Sequence, residues 1–584
     1  MSSKVDPVLA AVIGNRLKSI TQQMALALLR TARSLNLSEA RDFCTGLYDL
    51  DGGMIEQTEY VPGLAYTVPP ALKYIYDYFQ GDFRPGDIII HNDPFTGGNQ
   101  LSDVKIAKPI FYQGQHVAWA AINAHQADIG GAVAGGYNPE AREIWQEAIR
   151  ITPVKLYEAG QLRQDVWDLI FANVRLDIVS EDVRAVIGGC NVAERELIAL
   201  IDQYGLDVYR RHVEYLYDAS ERLMRREIEA IPDGTYYGSA VANYDGVNKG
   251  TQMEVKVAIT VEGSDISFDF TGSSAQTPGF VNAPFTVLAS AVVLIMLMSV
   301  DPNIPHNRGM LRPIKISAPE GTFLNPTFPA ATGFGNHLKD QIFNAIILAL
   351  EDALPHRLTA GWNPLLCAVF AGYDPDRGRP FADLLINACK GGGGGTYGAD
   401  GYDHIGIMSG AGGIAAQDPE MFELEVPVRF HKFEYLPDSA GPGRWRGGLG
   451  IETVVETLVD DLQITVFGDG TEPGSEPPGI RGGKPGTLNR AEIIMPTGER
   501  IVPMCKDLIR GVPKGSLWHQ VAGGGGGYGD PFLRPPERVA WDVRLGYVTP
   551  ESARRDYGVV ITDARKGEFD AEATRMLRRQ LSLT

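Results

Sequence analysis

No two cysteines in this chain form a CxxC pair. The five present, Cys44, Cys190, Cys367, Cys389 and Cys505, are scattered and odd in number. A disulfide framework or zinc ribbon is excluded, and a reducing cytoplasm fits best. Basic charge is also short: 53 Lys and Arg face 72 Asp and Glu, a formal net charge of −19. A nucleic acid or an anionic membrane wants a basic face, so neither is an expected partner. Long apolar runs are missing as well. The longest, Phe285 to Val300, has 16 residues, short of the ~20 that span a bilayer. It reads instead as a buried helix between Pro284 and Asp301-Pro302. The N-terminal apolar run is soon interrupted by charges, so no secretory leader is expected. No GxxxxGK[ST] occurs, nor a GxGxxG between a clear strand and helix. Any ATP the reaction uses must therefore sit on another chain.

Glycine is what the chain has in excess, 67 of 584 residues. Two runs stand out, "KGGGGGTYGADG" at 390–401 and "AGGGGGYGD" at 522–530. Ordering glycine costs more backbone entropy than ordering any other residue. The runs can be flexible linkers, phosphate cradles or packed backbone. Tyr397, Tyr402 and Tyr528 follow closely within apolar, turn-rich sequence, which favours packed backbone.

The length predicts several domains. Asp6-Pro7 followed by apolar residues at helical spacing predicts an amphipathic helix over about 7–33. "GDIIIHND" (86–93) reads as a buried strand, and "QHVAWAAINAHQAD" (115–128) contains another. Further helices are predicted at about 205–231, 285–300 and 337–354, and a hairpin turned by "EGSD" within 251–272. Composition shifts divide the chain into 1–235, 236–355, 356–535 and a tail, 536–584.

Four motifs carry candidate chemistry: "HNDPFTGGNQLSD" (91–103), "AHQADIGG" (124–131), "DFTGSSAQTPGFVNAP" (269–284) and "DSAGPGRWRGGLGIE" (438–452). In that order they resemble the hydantoinase B family over roughly residues 6–535. That family includes B subunits of N-methylhydantoinases and 5-oxoprolinases, and large subunits of acetone and acetophenone carboxylases. "WDVRLGYVTPESARRDYGVVI" (541–561) matches its usual close. The resemblance implies an α+β fold with a barrel-like β region, flanking helices and a bundle of polyproline-II-like glycine segments. It also implies a cytoplasmic hetero-oligomer, with A-type ATPase subunits of actin-like fold that bind ATP and Mg²⁺, and room for a small further subunit.

His125, Asp128 and Asp103 are the leading catalytic candidates, joined by His91 and Asp93 at a strand end. Asp93 and Asp128 can equally brace loops through backbone contacts. Gln100, Gln126, Arg446 and His404 are candidates for holding substrate, Arg446 through its planar donors. The family pattern implies a divalent metal, Zn²⁺ or Mn²⁺, on Asp103 and His125. Gln100, however, stands where the family carries a histidine ligand. His125 followed by Gln126 resembles the ketone carboxylases, which act on a ketone and bicarbonate. The favoured expectation is thus an ATP-dependent ketone carboxylase of acetophenone or acetone type. The alternatives are an ATP-dependent cyclic-amide hydrolase and a non-catalytic scaffold subunit.

Overall fold

The structure is a computed structural model that describes residues 5–58 and 60–581. Helix α1 (Pro7–Thr31) begins where Asp6 accepts the Val8 amide at 2.9 Å and Pro7 fills the first turn. Its buried stripe, Ile13, Leu17, Ile20, Met24 and Leu28, has the 3.6-residue spacing that buries one face.

That stripe packs against a seven-stranded sheet. Its main strands are β1 (Phe43–Tyr48), β2 (Met54–Thr58), β3 (Ile88–His91), β4 (Asp103–Tyr112) and β5 (Gln115–His125), with β6 (Val154–Glu158) and β7 (Gln161–Leu162) at one edge. The spatial order is β2-β1-β5-β4-β3-β6-β7. Alternate residues serve two cores, as a period of 2 requires. Val104, Ile106, Ile122 and Ala124 face α1 and the helices α2 (Ile178–Tyr204) and α3 (Leu206–Glu229). Ala107, Trp119 and Ala121 face the other way, into a core shared with helices α4 (Phe285–Ser299) and α5 (Lys339–Leu350). Helix α4 is the long apolar run of the sequence, buried inside that core. Among the described residues, no helix is long and apolar enough to cross a membrane.

The fold is α+β, but the barrel expected for the later region does not form. Its strands make two open sheets. One has Arg379–Leu384, Leu366–Asp374, Leu462–Gly468 and Lys506–Val512 side by side. The other orders Val428–Tyr435, Ile451–Thr457, Leu517–Ala522, Arg490–Ile494 and Arg500–Ile501. Each has two free edges, because its strands pair in a line without returning to the first.

The glycines at 391–395 and 523–527 are buried and belong to no helix or strand. Many of their amides and carbonyls bond other backbone, and the Gly523 and Gly524 amides bond Asn489 Oδ1 and Thr487 Oγ1. The Gly392 amide donates to the Gly523 carbonyl at 3.0 Å, Gly395 to Gly526 at 2.9 Å and Gly525 to Gly448 at 3.0 Å. The chains are too close for side chains: a Cβ on Gly392 would lie 2.0 Å from the Gly448 oxygen, and one on Gly525 2.1 Å from that of Gly393. The runs are thus packed backbone. The last part of the chain carries its own small core of Val539, Val543, Val548, Ala553, Tyr557 and Val559.

Candidate active site

Strands β1, β5 and β4 lie side by side, and their ends bring three titratable residues into one row. Asp103, the first residue of β4, pairs in register with His125, the last of β5. Phe43 pairs with Ala124, so Asp42 stands opposite His125 on the other side. The His125 amide donates to the Asp42 carbonyl at 3.0 Å. Directly opposite residues of neighbouring strands present their side chains together. The row is therefore Asp42–His125–Asp103.

The same face carries Lys105 and Asn123, two residues inward along the strands. Asp103, His125, Lys105 and Asn123 are buried and hydrogen-bonded, and Asp42 is half-buried. His125 Nδ1 lies 2.7 Å from Asp103 Oδ1, and Gln100 Nε2 lies 2.9 Å from the same oxygen. Asn99 Nδ2 donates to Asp103 Oδ2, and Lys105 Nζ donates to Asn99 Oδ1 at 2.9 Å. Asn336 and Lys339 approach from the start of α5, with Lys339 Nζ 2.8 Å from Asn336 Oδ1. The Tyr137 hydroxyl meets His337 Nε2 at 2.9 Å, and the Tyr137 ring stacks on Phe467 with centroids 3.8 Å apart. A cavity of about 40 Å³ opens among them, lined by Asp42, Gln100, Asp103, Tyr137, His337 and Lys339 together with apolar side chains.

Burial shapes the charges. It opposes ionisation of Asp103, but the hydrogen bond and charge of His125, with help from Gln100 and Lys105, hold that carboxyl down at about 2. Burial lowers His125, yet its bond to Asp103 and the charges of Asp103 and Asp42 outweigh this and raise it. Both shifts favour the charged forms, a protonated ring beside an ionised carboxyl. Asp42 differs. Burial raises it to about 6, opposed by His125 and Lys339. Burial also lowers Lys105 and Lys339 to about 8 each, and His337 to about 3.

The donors do not fit the metal that the sequence pattern implies. His125 Nδ1 is engaged with Asp103, and the Gln100 amide nitrogen sits 3.1 Å from that same ring nitrogen. Both Asp103 oxygens already face donors. No group of three or more His, Cys, Asp or Glu side chains among the described residues could hold an ion.

Of the candidates read from sequence, Asp103, His125 and Gln100 converge here. Asp103 and Gln100 line the cavity, His125 bonds Asp103 without lining it, and the others do neither. Asp128 is a loop brace: it accepts from the Gly130, Gly135 and Arg175 amides at 3.1, 3.2 and 2.9 Å, and Arg175 Nη1 lies at 3.2 Å. Asp93 accepts the Phe95 amide at 3.1 Å and pairs with Arg150 at 2.6 Å. His91 bonds Thr96 Oγ1 at 2.8 Å, and burial lowers it to about 3. Gln126 turns its amide to the Ala124 carbonyl at 3.2 Å. His404 bonds the Asn387 carbonyl at 3.1 Å. Arg446 pairs with Asp403 at 3.0 Å.

Sequence reasoning missed Asp42, Lys105, Asn123, Asn336 and Lys339. For two of them a signal was present. "DVKIA" and "INAH" set polar residues at a period of 2 inside apolar strands, which marks a polar stripe on one face. Asp42 and Lys339 carry no such local mark.

The comparisons with known proteins agree with this architecture. The profile of the Hydantoinase B/oxoprolinase family matches residues 6–531. Caprolactamase subunit beta of Pseudomonas jessenii is 34% identical, over 98% of this chain and 98% of its own. The crystal structure of ATP-dependent caprolactamase from Pseudomonas jessenii superposes with a TM-score of 0.91 at 33% identity, covering 99% of this chain and 100% of that one. Acetone carboxylase in its nucleotide-free form shares the fold, with a TM-score of 0.89 at 21% identity over 99% of this chain and 83% of its own. With the profile matched along nearly its whole length, the chain belongs to the hydantoinase B/oxoprolinase family.

Proposed function

We propose that this chain is the B-type subunit of an ATP-dependent cyclic-amide hydrolase acting on a lactam-class ring. In this reading an A-type partner with an actin-like fold phosphorylates the amide oxygen, and the chain described here adds water. The observation that carries it is Asp42, a cavity-lining carboxyl raised to about 6 beside the hydrogen-bonded His125–Asp103 pair. A general base works best with a pKa near the operating pH. Full-length likeness to a caprolactamase subunit supports the same chemistry.

The Asp42 carboxylate takes a proton from water as the water oxygen adds to the ring carbon bearing the phosphorylated oxygen. It then returns that proton to the ring nitrogen. The C–N electrons leave with the nitrogen as the added hydroxyl gives its remaining proton to the Asp42 carboxylate and its oxygen forms the C=O bond, and an acyl phosphate remains. A second water splits it into carboxylate and phosphate. Without protonation of the nitrogen, the tetrahedral carbon would expel phosphate and restore the amide, wasting ATP. His125 and Asp103 act as positioning residues that fix the field around Asp42. The apolar walls exclude bulk water and strengthen those interactions.

Ketone carboxylation is the second reading. The His125-Gln126 pair and the shared fold of acetone carboxylase favour it. Native purification with partner subunits separates the two. ATP turnover is followed with lactams, hydantoins, 5-oxoproline and ketones, all with labelled bicarbonate. Lactam-stimulated turnover without label in acid-stable product is expected. Ketone-stimulated turnover with fixed label would overturn the hydrolase reading. We also propose a polyproline-II-like winding for the two glycine runs, supported by their hydrogen bonding outside any helix or strand.

A further inference from the structure

We propose that Lys339 is an anion-binding residue of the cavity, and that its ligand is the phosphoryl group placed on the substrate by the partner. The inference rests on the hydrolase reading for the origin of that group, but not for the existence of the site.

Lys339 lines the cavity and is 2% exposed. Among the described residues no carboxylate lies within ion-pair distance of its ammonium. Its acceptors are neutral: Asn336 Oδ1 at 2.8 Å and the Gly63 carbonyl at 3.4 Å. An ammonium has three donors, so at least one has no partner of the chain's own. A buried cation without a counter-charge costs several kcal/mol, a cost that a bound anion relieves.

The surroundings hold the ammonium in place. A Cβ on Gly63 would come within 3.2 Å of Lys339 Nζ and 2.9 Å of the Ser409 carbonyl. The bare glycine therefore leaves the room the side chain occupies. The Gly63 carbonyl is anchored by Ser290 Oγ at 2.9 Å, so the acceptor itself is fixed. Behind Lys339, Asn99 Nδ2 reaches Asn336 Oδ1 at 3.3 Å and Lys105 holds Asn99 Oδ1. A rigid neutral bridge thus joins two buried lysines.

The cavity holds roughly three waters, the number of oxygens a phosphoryl group would bring. Carboxylate-bearing rings present the same anionic chemistry from another source, and the test separates the two.

The chain co-purified with its partners is titrated calorimetrically with inorganic phosphate and, separately, with acetate. Wild-type protein should bind phosphate at least tenfold more tightly than acetate. Lys339→Met should weaken phosphate binding at least tenfold, and Lys339→Arg should restore most of it. In turnover assays Lys339→Met should raise ATP hydrolysed per ring opened, because an activated substrate held poorly is lost to water. Thermal melts of each variant report folding. Should Lys339→Met fail to fold, Asn336→Ala, which frees the ammonium, and Lys339→Arg carry the phosphate test. Failure of wild-type protein to bind phosphate, acetate binding as tightly as phosphate, or unchanged phosphate affinity in a folded Lys339→Met would each overturn the site. Phosphate binding through Lys339 without any lactam turnover would keep the site and remove the hydrolase reading. Lactam turnover unaffected by Lys339→Met would do the reverse.

Discussion

Because burial raises Asp42 to about 6 while His125 and Lys339 pull the other way and Asp103 adds to the rise, turnover that uses its carboxylate as base falls as pH drops through that value. Protonation removes the base, so the loss is on the acid side. The kcat of the assembled enzyme should show an acid limb near pH 6. Asp42→Asn should lower kcat by about 100-fold or more and abolish that limb; an unchanged limb in this variant would remove Asp42 from the chemistry. Glu147 gives a stability counterpart. Burial raises it to about 8, although the Gly333 and Thr332 amides donate to it at 2.6 and 2.7 Å. Its folded pKa lies above its unfolded one, so its contribution is full below about 4.5 and lost as pH rises through 8. Glu147→Gln keeps a neutral acceptor. Its melting temperature should match wild type near pH 4 and exceed it at pH 9, the difference growing between those values. Residues of the site were legible where a motif carried them: Asp103, Gln100 and His125 sit in quoted segments. Asp42 was not, since only strand pairing brings it beside His125. Asp93 and Asp128 sit in motifs as well, yet their oxygens are engaged in bracing loops.

Elements were most legible where one face is buried and the other is not. Helix α1 and strand β3 fall within the expected ranges because capping and periodicity mark them. The strand Leu366–Asp374 went unread. Its first six residues are all buried, and a strand covered on both faces shows no alternation. The glycine runs were legible as packed backbone, and they bear a quantitative expectation. Gly525→Ala puts a methyl 2.1 Å from the Gly393 oxygen, so it should destabilise by about 3 kcal/mol, the upper end for overpacking. Gly188, inside α2, has open space where a Cβ would go and no left-handed backbone. Gly188→Ala should instead stabilise by up to about 1 kcal/mol. Urea unfolding midpoints check both, and a neutral Gly525→Ala would contradict close backbone contact.

At the scale of the whole molecule, the tail is tied to the glycine region by the Thr549–Asp438 bonds and by a buried arginine. Arg534 donates to Asp400 at 2.6 and 2.9 Å and to Asp542 at 2.8 Å. Removing one member of such a network strands the others as unpaired charges. Arg534→Met should cost about 3–5 kcal/mol locally, seen as faster hydrogen exchange over 536–581 and unchanged exchange in β4 and β5. Uniform loosening would show that the tail is not a separate cooperative unit. The barrel expectation failed at this scale because sheet closure depends on which distant strands meet, and local pattern does not encode that. The glycine contacts join residues near 361, 393, 448, 484 and 525. During synthesis the ribosome delivers these positions in order, so the first run leaves the exit tunnel long before the last exists. Until residues 523–527 emerge, "GGGGG" at 391–395 can meet the backbone at 360, 363, 402, 406 and 448, but the Gly392 and Gly395 amides lack the Gly523 and Gly526 carbonyls. The bundle is therefore completed only by its last segment, and a nascent chain stalled before that point leaves the first run covered on one side and more open to protease than in the finished protein.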